Sequence, residues 1–257
     1  MTTMTSIHTA PAARPASTRI WNAARLQFTN ARQAIGLPWL ILTIIFLANL
    51  AIWLILYAST SGQDRADVSE GLQYSGATSY IFVYMLVVAI QAISRTFPYA
   101  LGLSVTRRDF YLGTSVAFVL FSFIYGGGLT LLSYIEEWTG GWGVGGRMFT
   151  AVYYGNGPVW QRLFVFVALF LFFFFVGMAS ATLYVRWRAA GLLTLGGVFL
   201  AIIVAFVGLA TWTKSWGQVG EWFATSGPVG VVAWTLVPTV LSGAAGYFIL
   251  RRATPKN

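Results

Sequence analysis

The residues of this chain that could do chemistry are few and mostly neutral. Its 257 residues include no cysteine, which excludes disulfides, thiolate metal sites and a cysteine nucleophile. The one histidine, His8, sits in a polar N-terminal stretch. An intramembrane protease needs a nucleophile with a base, or two aspartates, at bilayer depth. The long apolar stretches hold no His, Asp, Glu, Lys or Arg, and a set of zinc ligands is missing as well. Gly140-Gly141-Trp142-Gly143-Val144-Gly145-Gly146 has the glycine content of a phosphate cradle but lacks the Lys-Ser/Thr that completes a P-loop. It reads as a flexible extracellular turn. The only lysines, Lys214 and Lys256, follow no glycine-rich loop. The chain is therefore expected to hold no catalytic residue, metal or cofactor and to hydrolyse no ATP by itself.

Neutral polar residues interrupt the apolar stretches instead: Asn49, Gln91, Ser122, Thr130, Thr194, Thr235, Thr239 and Ser242. Each can bond a neighbouring helix or its own backbone. The alternative is a substrate path, for which Asn49 and Gln91 are the candidates, because Ser and Thr satisfy themselves locally. Proton and cation carriers keep an ionisable group in a span, so its absence argues against ion-coupled transport. Small residues recur at four-residue spacing at Gly197, Ala201 and Ala205, at Gly177 and Ala181, and at Ser242 and Gly246. These mark internal helix contacts or a dimer seam.

The elements that position these groups follow from composition. The chain is 57% hydrophobic and 9% charged, against about 25% charged in soluble domains. Its net charge of +9 falls in short clusters between apolar runs, with no continuous basic face for nucleic acid. Spans are expected at about 38–57, 79–97, 110–134, 163–184, 189–210 and 228–250, each near the roughly 20 residues that cross a bilayer. Continuous apolar runs such as Leu169 to Phe175 favour helices over a barrel. Pro38 and Pro228 suit first turns, Thr106 to Asp109 has a capping-box pattern, and Pro238 is expected to kink the last span.

Arg14, Arg19, Arg25, Arg32, Arg95, Arg107, Arg108, Arg186, Arg188, Arg251, Arg252 and Lys256 fall on one side of these spans. Only Arg65, Arg147, Arg162 and Lys214 fall on the other, with Asp64, Asp67, Glu70, Glu136, Glu137 and Glu221. The basic side is cytosolic. The expected fold is an all-α integral membrane protein with six transmembrane helices and both termini in the cytosol. Its parts are a disordered tail (1–16), an interfacial amphipathic helix (17–36), the transmembrane domain (37–252) and a short tail (253–257).

Three segments outside the spans carry pattern. Trp21, Ala24, Phe28, Ala31 and Ile35 form an apolar stripe beside Asn22, Arg25, Thr29 and Arg32, as in a helix on the inner leaflet. The inner connector 95–110 is broken by Pro98 and Gly102 and sets Leu101, Leu103 and Val105 before Arg107 and Arg108. Either it is a partner surface or it is basic charge plus a helix cap. Trp212, Trp216, Val219 and Phe223 form a short exoplasmic helix before the last span, or an aromatic belt.

Together these segments resemble the permease subunits of ABC-2 type ABC exporters. The closest local likeness is Leu101-Gly102-Leu103-Ser104-Val105-Thr106-Arg107-Arg108-Asp109-Phe110-Tyr111-Leu112-Gly113, similar to a Gly-x-Ser/Thr-Arg-Arg-x-aromatic stretch of that family. The resemblance implies a coupling helix at 95–110, with Leu101, Leu103, Val105, Arg107, Arg108 and Asp109 touching a separate cytosolic ATPase subunit that binds the ATP. It implies an ATPase contact for the interfacial helix too (Trp21, Arg25, Phe28, Arg32), and a second copy or a homologous permease as partner. The competing readings are a stand-alone secondary transporter and a non-transporting accessory or immunity protein of the membrane.

Overall fold

A computed structural model describes residues 15–29 and 32–252 of the chain. His8, Arg14, Ala31, Lys256 and the side chain of Arg32 lie outside the described residues, as do both expected tails apart from Pro15 and Ala16. The described chain is helical without a strand. Helix α1 (Ala16–Phe28) leads through a π turn (Arg32–Gly36) into α2 (Leu37–Ser59). Then come α3 (Gln63–Gly71), a 3-10 turn (Leu72–Tyr74), α4 (Ser79–Ser94) and α5 (Thr96–Gly102). Helices α6 (Arg107–Trp138), α7 (Val159–Trp212) and α8 (Trp216–Arg252) complete the fold. Among the described residues, five helices are long and apolar enough to cross a membrane: Ala34–Ser59, Leu72–Gly102, Arg107–Trp138, Val159–Trp212 and Trp216–Arg252.

Local chemistry sets several boundaries. Pro38 lies in the first turn of α2. Pro98 lies in the first turn of α5, where its missing N–H is harmless, so it opens a helix rather than breaking the connector as its sequence suggests. Thr106 caps α6 by accepting the Asp109 N–H at 3.1 Å. In α8 the one residue off helical dihedrals is Gly227 (φ 60°, ψ 178°), not Pro238; it divides the first stretch of the helix, from Trp216, from the long apolar one.

Helix α7 has 54 residues, which would extend about 80 Å if straight, far beyond a bilayer core of about 30 Å. Arg188 (φ 57°, ψ −145°) breaks it. A Cβ at Gly191 would lie 3.1 Å from the Leu183 carbonyl oxygen, whereas eight residues of straight helix span about 12 Å. The chain therefore turns sharply at Arg188, making an elbow between two arms.

The core lies between α4, α6 and the first arm of α7. Phe118 stacks on Phe174 at 4.6 Å, and Phe82 packs on Phe170 at 4.7 Å. The small pair Gly177 and Ala181 is buried here, with Gly177 against the backbone of α4 at Leu86. The second arm of α7 is exposed almost all round, Leu193 by 75%, and nothing packs on Gly197. Of the three small-residue stripes, that on the first arm is thus an internal contact, while that on the second faces outward.

Candidate functional site

The connector 95–110 and α1 form one structural unit. Helix α5 buries Phe97 and Ala100, and Phe97 packs on Phe110 at 5.4 Å. The helix ends in a Schellman turn: Val105 N–H bonds Ala100 O at 3.1 Å and Ser104 N–H bonds Leu101 O at 3.0 Å. Ser104 holds the left-handed position (φ 61°) that glycine usually fills. This turn leaves Leu103 facing outward, 54% exposed, and Tyr99 and Arg108 are exposed as well. Leu101, Val105 and Arg107 are half-buried, and Asp109 is buried.

Asp109 is buried because α1 lies across the start of α6. Arg19 Nε donates to Asp109 Oδ2 at 2.9 Å, and Gln27 Nε2 donates to Thr114 Oγ1 at 3.1 Å. Gly113 allows the crossing: a Cβ there would sit 2.6 Å from Ala23 Cβ and 2.6 Å from Ile20 O. Ala23 and Ala24 are buried at this contact, and Phe28 meets Phe121 at 4.5 Å. Trp21 and Arg25 face outward. The apolar stripe expected on α1 is thus divided, with Ala24 and Phe28 facing α6 and Trp21 free of it.

The path candidates are not brought together. Asn49 donates to Ile45 O of its own helix at 3.0 Å. Gln91 lines a cavity of about 210 Å³ with Gln27, Thr29, Ala34, Arg95 and Thr96, where α1 and the π turn face the end of α4. The hydroxyls of Ser122, Thr130, Thr194 and Thr239 likewise bond their own helices four residues back.

The glycine-rich turn after α6 is organised around buried charge. Glu136 is fully buried, and its carboxylate accepts from the N–H groups of Met148 (2.9 Å), Phe149 (3.1 Å) and Thr150 (2.7 Å), from Thr150 Oγ1 (2.6 Å) and from Trp142 Nε1 (2.8 Å). Arg162, also buried, supplies donors: to Gly157 O at 2.8 Å, Asn156 O at 3.3 Å, Ser133 Oγ at 3.3 Å and Glu137 Oε2 at 2.5 Å. Its guanidinium lies 4.3 Å from the centre of the Tyr134 ring. A loop with few backbone hydrogen bonds of its own thus has its N–H groups met by a carboxylate and its carbonyls by a guanidinium. Burial pushes the nearby Tyr154 phenol up in pKa, and a bond to Ser79 offsets part of that. The sequence showed Glu136, Glu137 and Arg162 only as outer charges; the readable signal was an acid in the last turns of one apolar helix and an arginine in the first turn of the next.

The long apolar helices define a multi-pass, all-α membrane protein. No protein-family model matches the chain, and no curated protein or solved structure matches it.

Proposed function

We propose that this chain is the permease subunit of an ATP-driven exporter of the ABC-2 type. In this reading the two arms of α7 are separate spans, which with α2, α4, α6 and the part of α8 after Gly227 make six. Both termini are cytosolic, a separate cytosolic subunit binds ATP, and a second copy or homologous permease completes the path. The observation that carries the proposal is the α5 turn. An exposed Leu103 ends a short helix that packs through Phe97 on Phe110 of α6, which α1 also grips. A push on such a turn is passed to a membrane-length helix. The outward-facing apolar arm after Arg188 suits contact with a second permease.

Reconstitution tests the proposal. The purified chain in liposomes is expected to move no substrate on an imposed proton or sodium gradient. Transport is expected only with an ATP-binding subunit, and is lost when that subunit's catalytic glutamate is replaced. Gradient-driven transport by the isolated chain would reject this reading in favour of a secondary transporter.

Leu103→Asp is expected to weaken ATPase binding by about a hundredfold, because it puts an unpaired charge into an apolar contact. Leu103 is exposed in the free chain, so its own fold should change by less than about 0.5 kcal/mol. Arg107→Glu, at the rim, should cost about tenfold or less. Co-purification reads both, and full recovery of the Leu103→Asp complex would make the turn a mere connector.

Topology is tested by single cysteines in this cysteine-free chain. An impermeant thiol reagent added outside should label cysteines at the exposed positions Ser61, Val152 and Thr225 but not at Ser104. Labelling at Ser104 would invert the orientation.

A further inference from the structure

The elbow of α7 encloses an apolar groove of about 440 Å³, walled by Leu183 and Trp187 from one arm and Ala190, Thr194, Leu195 and Val198 from the other. Thr194 Oγ1 donates to Ala190 O at 2.9 Å, so its hydroxyl is turned into its own helix and the wall it leaves is apolar. At the rim, the Arg186 guanidinium lies 4.5 Å from the centre of the Trp187 ring. Arg186 is exposed and makes no ion pair among the described residues. From Leu163 to Gly220 the sequence carries no acid. An apolar slot with an uncompensated guanidinium at its mouth is complementary to an amphiphile with an anionic head. Basic pockets between membrane helices bind such lipids, and a zwitterionic head would bring its own cation against the arginine.

We propose that the elbow is a binding site for an anionic phospholipid, with one acyl chain in the groove and the phosphate against Arg186. The site is a property of the isolated chain and does not rest on the transport reading. Native mass spectrometry of the detergent-purified protein, with phosphatidylglycerol or phosphatidylcholine added, tests it. The parent protein should retain phosphatidylglycerol preferentially, and Arg186→Gln should lower that preference about fivefold. Arg186→Lys keeps the charge and should keep the preference. Thr194→Phe fills the groove and should weaken both lipids while leaving their ratio unchanged. An undiminished preference in Arg186→Gln, its loss in Arg186→Lys, unchanged lipid retention in Thr194→Phe, or a lipid-free dimer filling the groove would each overturn the proposal.

Discussion

Glu136→Ala is expected to open the glycine-rich loop between α6 and α7 at a cost of about 4 kcal/mol or more. The substitution leaves the N–H groups of Met148, Phe149 and Thr150 without their acceptor in a buried place. Each such orphan costs about 1–3 kcal/mol, and the lost charge-assisted bonds add to that without summing simply. Glu136→Gln keeps the shape but replaces one acceptor oxygen with a donor, and about 2 kcal/mol is expected. Met148 is fully buried in the parent. A cysteine at Met148 should therefore resist a thiol reagent in the parent background and react readily when combined with Glu136→Ala. Equal protection in the two backgrounds would show that the loop is held by other contacts, such as Thr78 Oγ1 on Met148 O at 2.8 Å.

The second large effect is expected at Gly113. A leucine there cannot fit, because even a Cβ would fall 2.8 Å from the Ala24 backbone nitrogen and 2.6 Å from Ile20 O. Relief requires α1 to move off α6, which breaks the Arg19–Asp109 and Gln27–Thr114 bonds together. Overpacking of this kind costs about 1–3 kcal/mol, enough to release a 13-residue helix. By contrast, Asp109→Asn removes an ion pair whose arginine is 46% exposed, and about 0.5–1 kcal/mol is expected. Packing rather than charge therefore holds α1. Trypsin cleavage at Arg19 and Arg25 measures its release: it should be fast in Gly113→Leu and near the parent rate in Asp109→Asn. The reverse order would assign the hold to the ion pair.

Much of the helix plan was legible because membrane partition is a local sum. About 20 consecutive apolar residues suffice to mark a span, whatever lies elsewhere in the chain. The segments expected at 38–57, 79–97 and 110–134 coincide with α2, α4 and α6 to within a few residues. The cap at Thr106 was equally readable, since its donor is three residues away. Pro98 was misread as a breaker because a proline breaks a helix or begins one according to where the preceding helix ends. Here that end is at Ser94.

By itself the sequence determined the membrane class and where long apolar helices run, because low charge and long apolar runs require nothing but local composition. Tertiary structure alone decided which groups meet across distance. Arg19 finds Asp109, Glu136 gathers the N–H groups of residues 148–150, and Gly177 meets the backbone of α4 at Leu86. The physical reason is that apolar side chains cover every side of these helices. Lipid tails are as apolar as leucine, so periodicity does not show which face packs on protein. That choice falls to close approach at residues such as Gly113 and Gly177, and to the few buried charges that must find a partner.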